Sequence, residues 1–244
     1  MTSTFDRVLD ELGSAIVTGV LPTGHRDSID GFVVRTGASR SIVREAVRVL
    51  VGCGLLAARV RTGLVVQPTG SWDVTDPLVL GWRLGGPERA QALAELRALR
   101  RAVEPAAASA AATAVAAGRT VRPPEPGSLT ELFLSDPLAE MLESATVMAE
   151  RGNAGDAGDA GDAGDAVTFL QADRALHRSV LALSGNAMFV RLGRVVARAL
   201  DERAEIRPEV HDVALHVRLA RAVADGDPDT AASTMTEIID RTVA

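Results

Sequence analysis

The sequence predicts a mainly α-helical chain of two domains, a small N-terminal domain that ends in a β-hairpin and a larger all-helical bundle. Apolar residues recur at the three- and four-residue spacing of amphipathic helices along most of the chain. The two strand-like runs, residues 55–60 and 64–67, both precede residue 70. We therefore assign residues 1–70 to the first domain, 71–77 to a linker and 78–244 to the bundle.

Charge is distributed unevenly between these parts. The 244 residues carry a formal net charge of −6, and all 26 basic residues are arginine. Residues 1–70 hold eight arginines against six aspartates and glutamates, a net charge of +2, so the rest of the chain sums to −8. A basic module on an acidic body is typical of a protein that contacts DNA through one domain only.

Cysteine usage and hydropathy predict a cytoplasmic protein. Cys53 is the single cysteine, so no intramolecular disulfide can form, and its apolar neighbours indicate a small buried hydrophobe. The first twenty residues include four charged side chains and lack a signal-peptide pattern. The alanine-rich run 102–117 is interrupted by Glu104 and Pro105 and is too weakly apolar to span a membrane.

Three helices are expected before the hairpin. The first is amphipathic, with an apolar face of Phe5, Val8, Leu9, Leu12 and Ile16. A turn with proline and glycine at residues 19–24 separates it from a short helix at residues 30–35. The third helix runs to Leu50, and Ser39 is expected to be its N-cap.

The third helix presents two different faces. Its apolar face comprises Val43, Ala46, Val47 and Leu50. Arg40, Arg44 and Arg48 stand four residues apart and share another face, and we expect them to be unpaired because Glu45 lies off their row. An arginine row is often only solvated surface, but here a helix and a turn precede it and a glycine-tipped hairpin follows, which is the order of a winged helix-turn-helix. In that setting the row suits the DNA major groove, where arginine pairs with guanine edges and phosphates.

The same residues resemble the winged-helix domain of GntR-type bacterial transcription regulators. The matching motifs are I-x-x-G-x-L-x-x-G at residues 16–24, S-R-x-x-V-R-E-A at residues 39–46, and the glycine-tipped hairpin. The resemblance implies that Arg40 and Arg44 contact DNA and that the hairpin tip near Gly63 approaches the minor groove. The candidate DNA-contacting residues are Arg35, Ser39, Arg40, Ser41, Arg44, Arg48, Thr62 and Gly63.

The chain departs from this family at the start of the second helix. Residues 27–30 read D-S-I-D where the family usually has L-P-[ST]-E, and Gly31 stands where some relatives have a DNA-contacting arginine. The operator sequence is therefore expected to differ from that of the relatives, while the binding mode need not.

The second domain is predicted to be a helical bundle, onto which Leu78, Leu80 and Trp82 dock the linker. A long helix over residues 87–118 contains Pro105, which should kink it or split it in two, because proline lacks the amide donor and its ring clashes with the preceding turn. A loop at residues 119–127 and a helix at residues 129–151 follow. The acidic Ala-Gly-Asp repeat near residues 152–166 is expected to be disordered. Later helices are predicted at residues 167–183, 189–201, 215–224 and 230–242.

Asp173 and His177 form a candidate metal-binding pair. Four residues apart on one helix, they point about 40° apart. Such a pair suits a borderline divalent ion such as Zn²⁺, Ni²⁺ or Mn²⁺, and His216 on a later helix could supply a third ligand. The alternative for so short a motif is a surface ion pair or a core histidine with satisfied hydrogen bonds.

Residues 72–242 resemble the FadR-type ligand-binding (FCD) domain of GntR regulators. The matching features are W-D-V-T-D-P-L-V-L-G-W at residues 72–82, E-L-R-x-x-R-x-x-V-E-P at 95–105, D-x-x-x-H-x-x-V-L-x-x-S-G-N at 173–186, and His216 with D-G-D-x-x-x-A at 225–231. The resemblance implies a metal held by one Asp and three His at the floor of a pocket, with a carboxylate effector on that metal. Asp173, His177 and His216 match three ligands, whereas the fourth position falls at Ile238. Water or the effector could complete the site, the metal could bind weakly, or the site could be metal-free.

Arg97 and Asn186 are the candidate effector-binding residues. Arg97 matches an arginine that often faces the effector in this family, and its planar guanidinium suits a carboxylate. The alternative for Arg97 is an Arg–Glu surface pair.

Together these features predict a homodimeric, effector-responsive transcription regulator, a repressor and not an enzyme. A twofold dimer would read a near-palindromic double-stranded operator. A sugar acid is the favoured effector, and lactate-type or dicarboxylic acids are the alternative. The rival hypotheses are a metal-dependent enzyme that uses Asp173, His177 and His216, and a structural DNA-binding protein without a ligand.

Overall fold

The computed structural model describes residues 3–59, 63–119, 136–154, 163–201 and 210–241. The chain divides into two compact units, Met1–Ala94 and Glu95–Ala244. Within the described residues, no helix is both long enough and apolar enough to cross a bilayer.

The N-terminal unit contains the three predicted helices: α1 at Thr4–Val17, α2 at Ile29–Thr36 and α3 at Arg40–Gly52. A serine caps the start of each one. Ser3 forms a capping box with Asp6, the Ser28 hydroxyl accepts from the amide of Gly31, and the Ser39 hydroxyl accepts from the amide of Ile42. The prediction that Ser39 is the N-cap of the third helix is confirmed.

The wing is a three-stranded antiparallel sheet in the order β1-β3-β2. Strands β2 at Leu56–Arg59 and β3 at Gly63–Val66 are the predicted hairpin, and β1 at Arg26–Asp27 is an additional edge strand. Two residues are too few to show an alternating pattern, so β1 could not be recognised from the sequence. Gly63 lets β1 approach closely, because a Cβ at Gly63 would lie 2.6 Å from the carbonyl oxygen of Asp27.

The core of this unit is formed by α1, α3 and the inner face of the sheet, together with α4 at Pro77–Leu84. Trp82 of α4 packs on α1, where a Cβ at Gly13 would lie 2.4 Å from its ring, and its indole N–H donates to Asp10 at 3.2 Å. Trp82, which was predicted to dock the linker onto the helical domain, thus packs on α1 within the N-terminal unit. The linker helix belongs to the N-terminal unit, and the division between the units lies near residue 95 instead of residue 78.

The remaining described helices are α5 at Arg89–Ala116, α6 at Pro137–Ala154, α7 at Ala163–Leu183, α8 at Ala187–Asp201, α9 at Val210–Ala224 and α10 at Pro228–Arg241. Helix α5 continues through Pro105 without being split, because the alanine-rich residues after the proline are strong helix formers. Alanine, methionine, valine and leucine side chains of α5 to α10 form the core of the C-terminal unit. No strand occurs in the described residues after Val66, as predicted.

The acidic repeat is partly helical. Residues 152–154 end α6 and residues 163–166 begin α7, so the disorder expected near 152–166 is wrong at both margins. Alanine contributes five of the thirteen residues from 154 to 166 and favours helix continuation from either side. Residues 155–162 lie outside the described residues, as do residues 120–127 of the predicted loop and residues 129–135 of the helix predicted at 129–151.

Candidate DNA-binding and metal-binding sites

Helix α3 turns its arginine row towards solvent. Val43, Ala46, Val47 and Leu50 are buried in the core of the N-terminal unit, and the opposite side of the helix is exposed. Arg40, Arg44 and Arg48 are all exposed, as the helical spacing predicted.

Two of these three arginines form ion pairs, which corrects the prediction of an unpaired row. Arg40 pairs with Asp30 of α2, and the Nη1 atom of Arg48 lies 2.5 Å from Oε1 of Glu45. Helical spacing could not indicate this partner, because Asp30 lies on α2 and contacts Arg40 only when α2 and α3 pack together. In the described part of the chain, Arg44 makes no ion pair or hydrogen bond. Exposed pairs of this kind contribute only about 0–1 kcal/mol, so a DNA phosphate can replace either carboxylate.

The other candidate DNA contacts surround this helix. Arg35 at the end of α2 is exposed, and the exposed hydroxyls of Ser39 and Ser41 lie 3.1 Å apart at the start of α3. Gly63 begins β3 with φ 75°, a conformation that favours glycine. Thr62 lies outside the described residues.

Gly31 has a structural reason to lack a side chain. A Cβ at this position would lie 1.8 Å from Oδ1 of Asp27, an atom that accepts the amide N–H of Ser28 at 2.7 Å. Asp27 therefore requires glycine at residue 31, so the two differences from the family's pattern depend on each other.

The C-terminal unit brings the predicted metal ligands together. Nε2 of His177 lies 3.4 Å and Nε2 of His216 lies 3.0 Å from the same oxygen, Oδ1 of Asp173. One ligand atom from each residue lies within 4.8 Å of the others, and all three side chains are buried. The alternative of a surface ion pair is thereby excluded.

Two residues that the sequence analysis did not single out support this cluster. The carboxylate of Glu104 on α5 bonds Nδ1 of His177 through Oε2, and its Oε1 accepts from Nε of Arg100 at 2.6 Å. Arg100 and Glu104 are only 2% and 1% exposed. The two lie four residues apart in the E-L-R-x-x-R-x-x-V-E-P motif, a spacing that places them on one helix face. That spacing is the sequence feature from which the Arg100–Glu104 pair could have been predicted.

The electrostatics of the cluster follow from these pairs. Burial alone would raise the pKa of Glu104, but the charges of His177 and Arg100 outweigh it and lower that pKa to about 2. The pKa of Asp173 is likewise held well below its usual value, against burial, by hydrogen bonds from His177 and His216. Burial disfavours protonated His177, yet Glu104 and Asp173 together raise its pKa above 6.5.

The cluster fits a divalent metal ion. Two imidazole nitrogens and one carboxylate oxygen are a donor set of the kind that Zn²⁺ and its neighbours accept. Their separations of 3.0 and 3.4 Å are close to the distance of about 3.4 Å between tetrahedral ligands on bonds of about 2.1 Å. Ile238 is buried in the surrounding apolar core and offers no fourth ligand.

The two candidate effector residues lie elsewhere. Nη2 of Arg97 donates to the backbone oxygen of Asp240 at 3.0 Å, in a half-exposed contact between α5 and α10. The alternative for Arg97, a surface ion pair with a glutamate, is thus present with Asp240 in place of the glutamate. Asn186 is exposed and its Oδ1 accepts the amide of Met188 at 2.9 Å, so it caps α8. Arg100, one helical turn along from Arg97, is the arginine that reaches the cluster, through Glu104.

Comparison with known proteins matches residues 135–241 to the FCD domain. The uncharacterized HTH-type transcriptional regulator YieP of Escherichia coli K12 is 35% identical over 77 residues. That match spans 32% of this chain and 34% of YieP, about a third of the relative's length.

A solved structure shares the fold along nearly the whole chain. The structure of Lar, which controls the expression of the Listeria monocytogenes agr system, has a TM-score of 0.54 at 15% identity, covering 99% of this chain and 95% of that one. Streptococcus agalactiae GntR has a TM-score of 0.47 at 20% identity and covers 97% of both chains.

Proposed function

We propose that the chain is a GntR-family transcription regulator with an FCD domain, which binds operator DNA through α3 and the wing and releases it in response to a small carboxylate. The observation that carries the DNA-binding half is the exposed arginine row of α3, in which Arg44 has no protein partner among the described residues. Arginine in this position can bond guanine O6 and N7 or a phosphate oxygen. Relatives in this family are regulators and not enzymes, which supports the expectation that the chain catalyses no reaction.

The effector half of the proposal rests on the buried cluster of the C-terminal unit. Asp173, His177 and His216 would hold a divalent ion, with Zn²⁺, Ni²⁺ and Mn²⁺ as candidates. Such an ion, when bound, supplies a Lewis-acidic position that a carboxylate oxygen can occupy. The absence of a ligating side chain at Ile238 leaves a coordination position for water or the effector.

Arg100 replaces Arg97 as the proposed effector-binding arginine. Its guanidinium is buried, its Nε is engaged by Glu104, and its Nη2 has no hydrogen-bond partner in the described part of the chain. A buried guanidinium with a spare donor is costly unless a further acceptor arrives, and an effector carboxylate is such an acceptor.

The regulator is proposed to act as a cytoplasmic homodimer and as a repressor. A twofold pair of winged helices would match a near-palindromic operator. The effector would favour a dimer geometry in which the two copies of α3 no longer match the half-site spacing. It can lower DNA affinity only to the extent that it binds this geometry more tightly than the DNA-binding one. Sugar acids such as gluconate or galactonate are the proposed effectors, with lactate-type and dicarboxylic acids as the alternative.

The test uses the full chain and a duplex enriched from a random pool by binding to it. Purified protein should carry close to one divalent ion per chain, and His177→Ala should lose it. Gluconate or galactonate should release the duplex from the wild type and not from Arg100→Gln. Equal metal content in wild type and His177→Ala would refute the metal site, and release by every acid tested, or by none, would refute the effector assignment.

A further inference from the structure

We propose that the outer face of the wing sheet, with Arg26 of β1 and Arg59 of β2, is a phosphate-binding surface. It binds the DNA backbone next to the base pairs that α3 contacts. This surface, which we call the wing-face pair, is additional to the candidate contacts on α3 and at the hairpin tip. The inference rests on the proposed function, because its ligand is the same DNA duplex.

The strand register places both arginines on one face. Arg26 pairs with Val65 and Arg59 pairs with Gly63, and partners across an antiparallel ladder point to the same side of a sheet. Leu64 and Val66 alternate with these positions and are buried, so their side is the core side. Arg26 and Arg59 therefore lie on the solvent side, and both are exposed.

No acid neutralises this face within the described strands. The positions in register on the outer side are Arg26, Ala57, Arg59, Gly63 and Val65. Asp27 is the acidic residue of the three strands, and it pairs with Leu64 on the core side, where its carboxylate lies 3.6 Å from His25. Neither arginine of the wing-face pair has a hydrogen bond or an ion pair within the described residues.

The position of the pair points to DNA as the ligand. Arg59 lies directly opposite Gly63, the candidate contact at the hairpin tip, and Arg26 lies two residues before Ser28, which caps the first helix of the helix-turn-helix. The two Cα atoms are separated by two strand spacings and two residues, about 12 Å. That distance exceeds the Debye length of about 8 Å at physiological salt, so salt largely screens the two guanidinium groups from each other and the pair can bind DNA as two independent positive charges.

Phosphate contacts have a signature that base contacts lack. Each neutralised phosphate contributes about 0.9 to the slope of log Kobs against log salt, whatever the base sequence. In a twofold complex a single substitution removes two contacts, so Arg26→Gln or Arg59→Gln should reduce the magnitude of the slope by about 1.8. The double variant should reduce it by about twice as much, and the enriched duplex and an unrelated duplex should be weakened by the same factor.

The experiment measures fluorescence anisotropy of full-length protein on the two labelled duplexes, from about 50 to 300 mM NaCl. Arg191→Gln, which removes an exposed arginine from α8 of the C-terminal unit, is the matched charge control and should leave the slope unchanged. The proposal is overturned if Arg26→Gln and Arg59→Gln keep the slope of that control, or if they alter the preferred base sequence instead of the slope. Failure of the wild type to enrich any duplex would be visible before a variant is made, and it would refute the proposed function itself along with this surface.

Discussion

Nδ1 of His177 and Oε2 of Glu104 are hydrogen-bonded inside the C-terminal unit, and each side chain is only 1% exposed. The bond fixes the imidazole so that its other nitrogen, Nε2, faces Asp173 at 3.4 Å. A carboxylate behind a metal-ligating histidine both orients the ring and increases its basicity. We therefore propose that Glu104 is a positioning residue for the candidate metal site, and Arg100 in turn holds Glu104.

Replacing Glu104 with alanine should lower metal affinity by about 10- to 100-fold, because His177 loses the acceptor that orients it. Glu104→Gln should keep most of the affinity, since the amide oxygen can still accept from Nδ1. Calorimetric titration of metal-free protein with Zn²⁺ gives these values. Glu140→Gln, which removes the α6 partner of Arg178 in a partly exposed pair, is the control and should bind Zn²⁺ like the wild type. Wild-type affinity in Glu104→Ala would contradict the positioning role.

The stability of the metal-free protein should be greatest between about pH 4.5 and 6.5. The pKa of His177 is raised above 6.5, so its stabilising contribution is complete below that pH and is lost as the pH rises through the raised value. The pKa of Glu104 is lowered from 4.5 to about 2, so its contribution is present above pH 4.5 and is lost as the pH falls towards 2. Urea unfolding in EDTA across this range measures both limbs. His177→Gln should flatten the alkaline limb, and an unchanged limb would show that another group causes it.

A pair of glycine substitutions tests the packing of the linker helix on α1. Gly13→Ala should destabilise the protein by about 1–3 kcal/mol, because the added methyl group would overlap the ring of Trp82. Gly52→Ala, in the last turn of α3, has open space around it and should be neutral or slightly stabilising. The free energies of unfolding of the two variants make the comparison. Equal stability of Gly13→Ala and Gly52→Ala would contradict the assignment of α4 to the N-terminal unit.

Local sequence patterns predicted the parts of the fold that depend on local spacing. The apolar stripe of α3, its cap at Ser39 and the hairpin are set by neighbouring residues, and all three were predicted. The pairing of Arg40 with Asp30 was missed because it depends on how α2 packs against α3. The buried cluster shows the same difference. Asp173 and His177 were predicted as a pair because they share one helix, whereas Glu104 was missed because it lies 73 residues from His177 in the chain.

The domain boundary was misplaced for a related reason. Residues 71–77 were predicted to be a linker and residue 78 to begin the bundle. Whether a short apolar helix packs on the preceding or on the following domain depends on complementary shape. Gly13 leaves a flat surface on α1 that accepts the ring of Trp82, and no periodicity in the sequence encodes that fit.

The arginine face of α3 is proposed to bind duplex DNA, and the most direct measurement compares the affinities of wild type and Arg44→Ala for the enriched duplex. Loss of Arg44 should weaken binding by about 1–3 kcal/mol and relax the preference at the base pair that it reads. Arg191→Ala on α8 should bind like the wild type. Wild-type affinity and wild-type base preference in Arg44→Ala would contradict the claim.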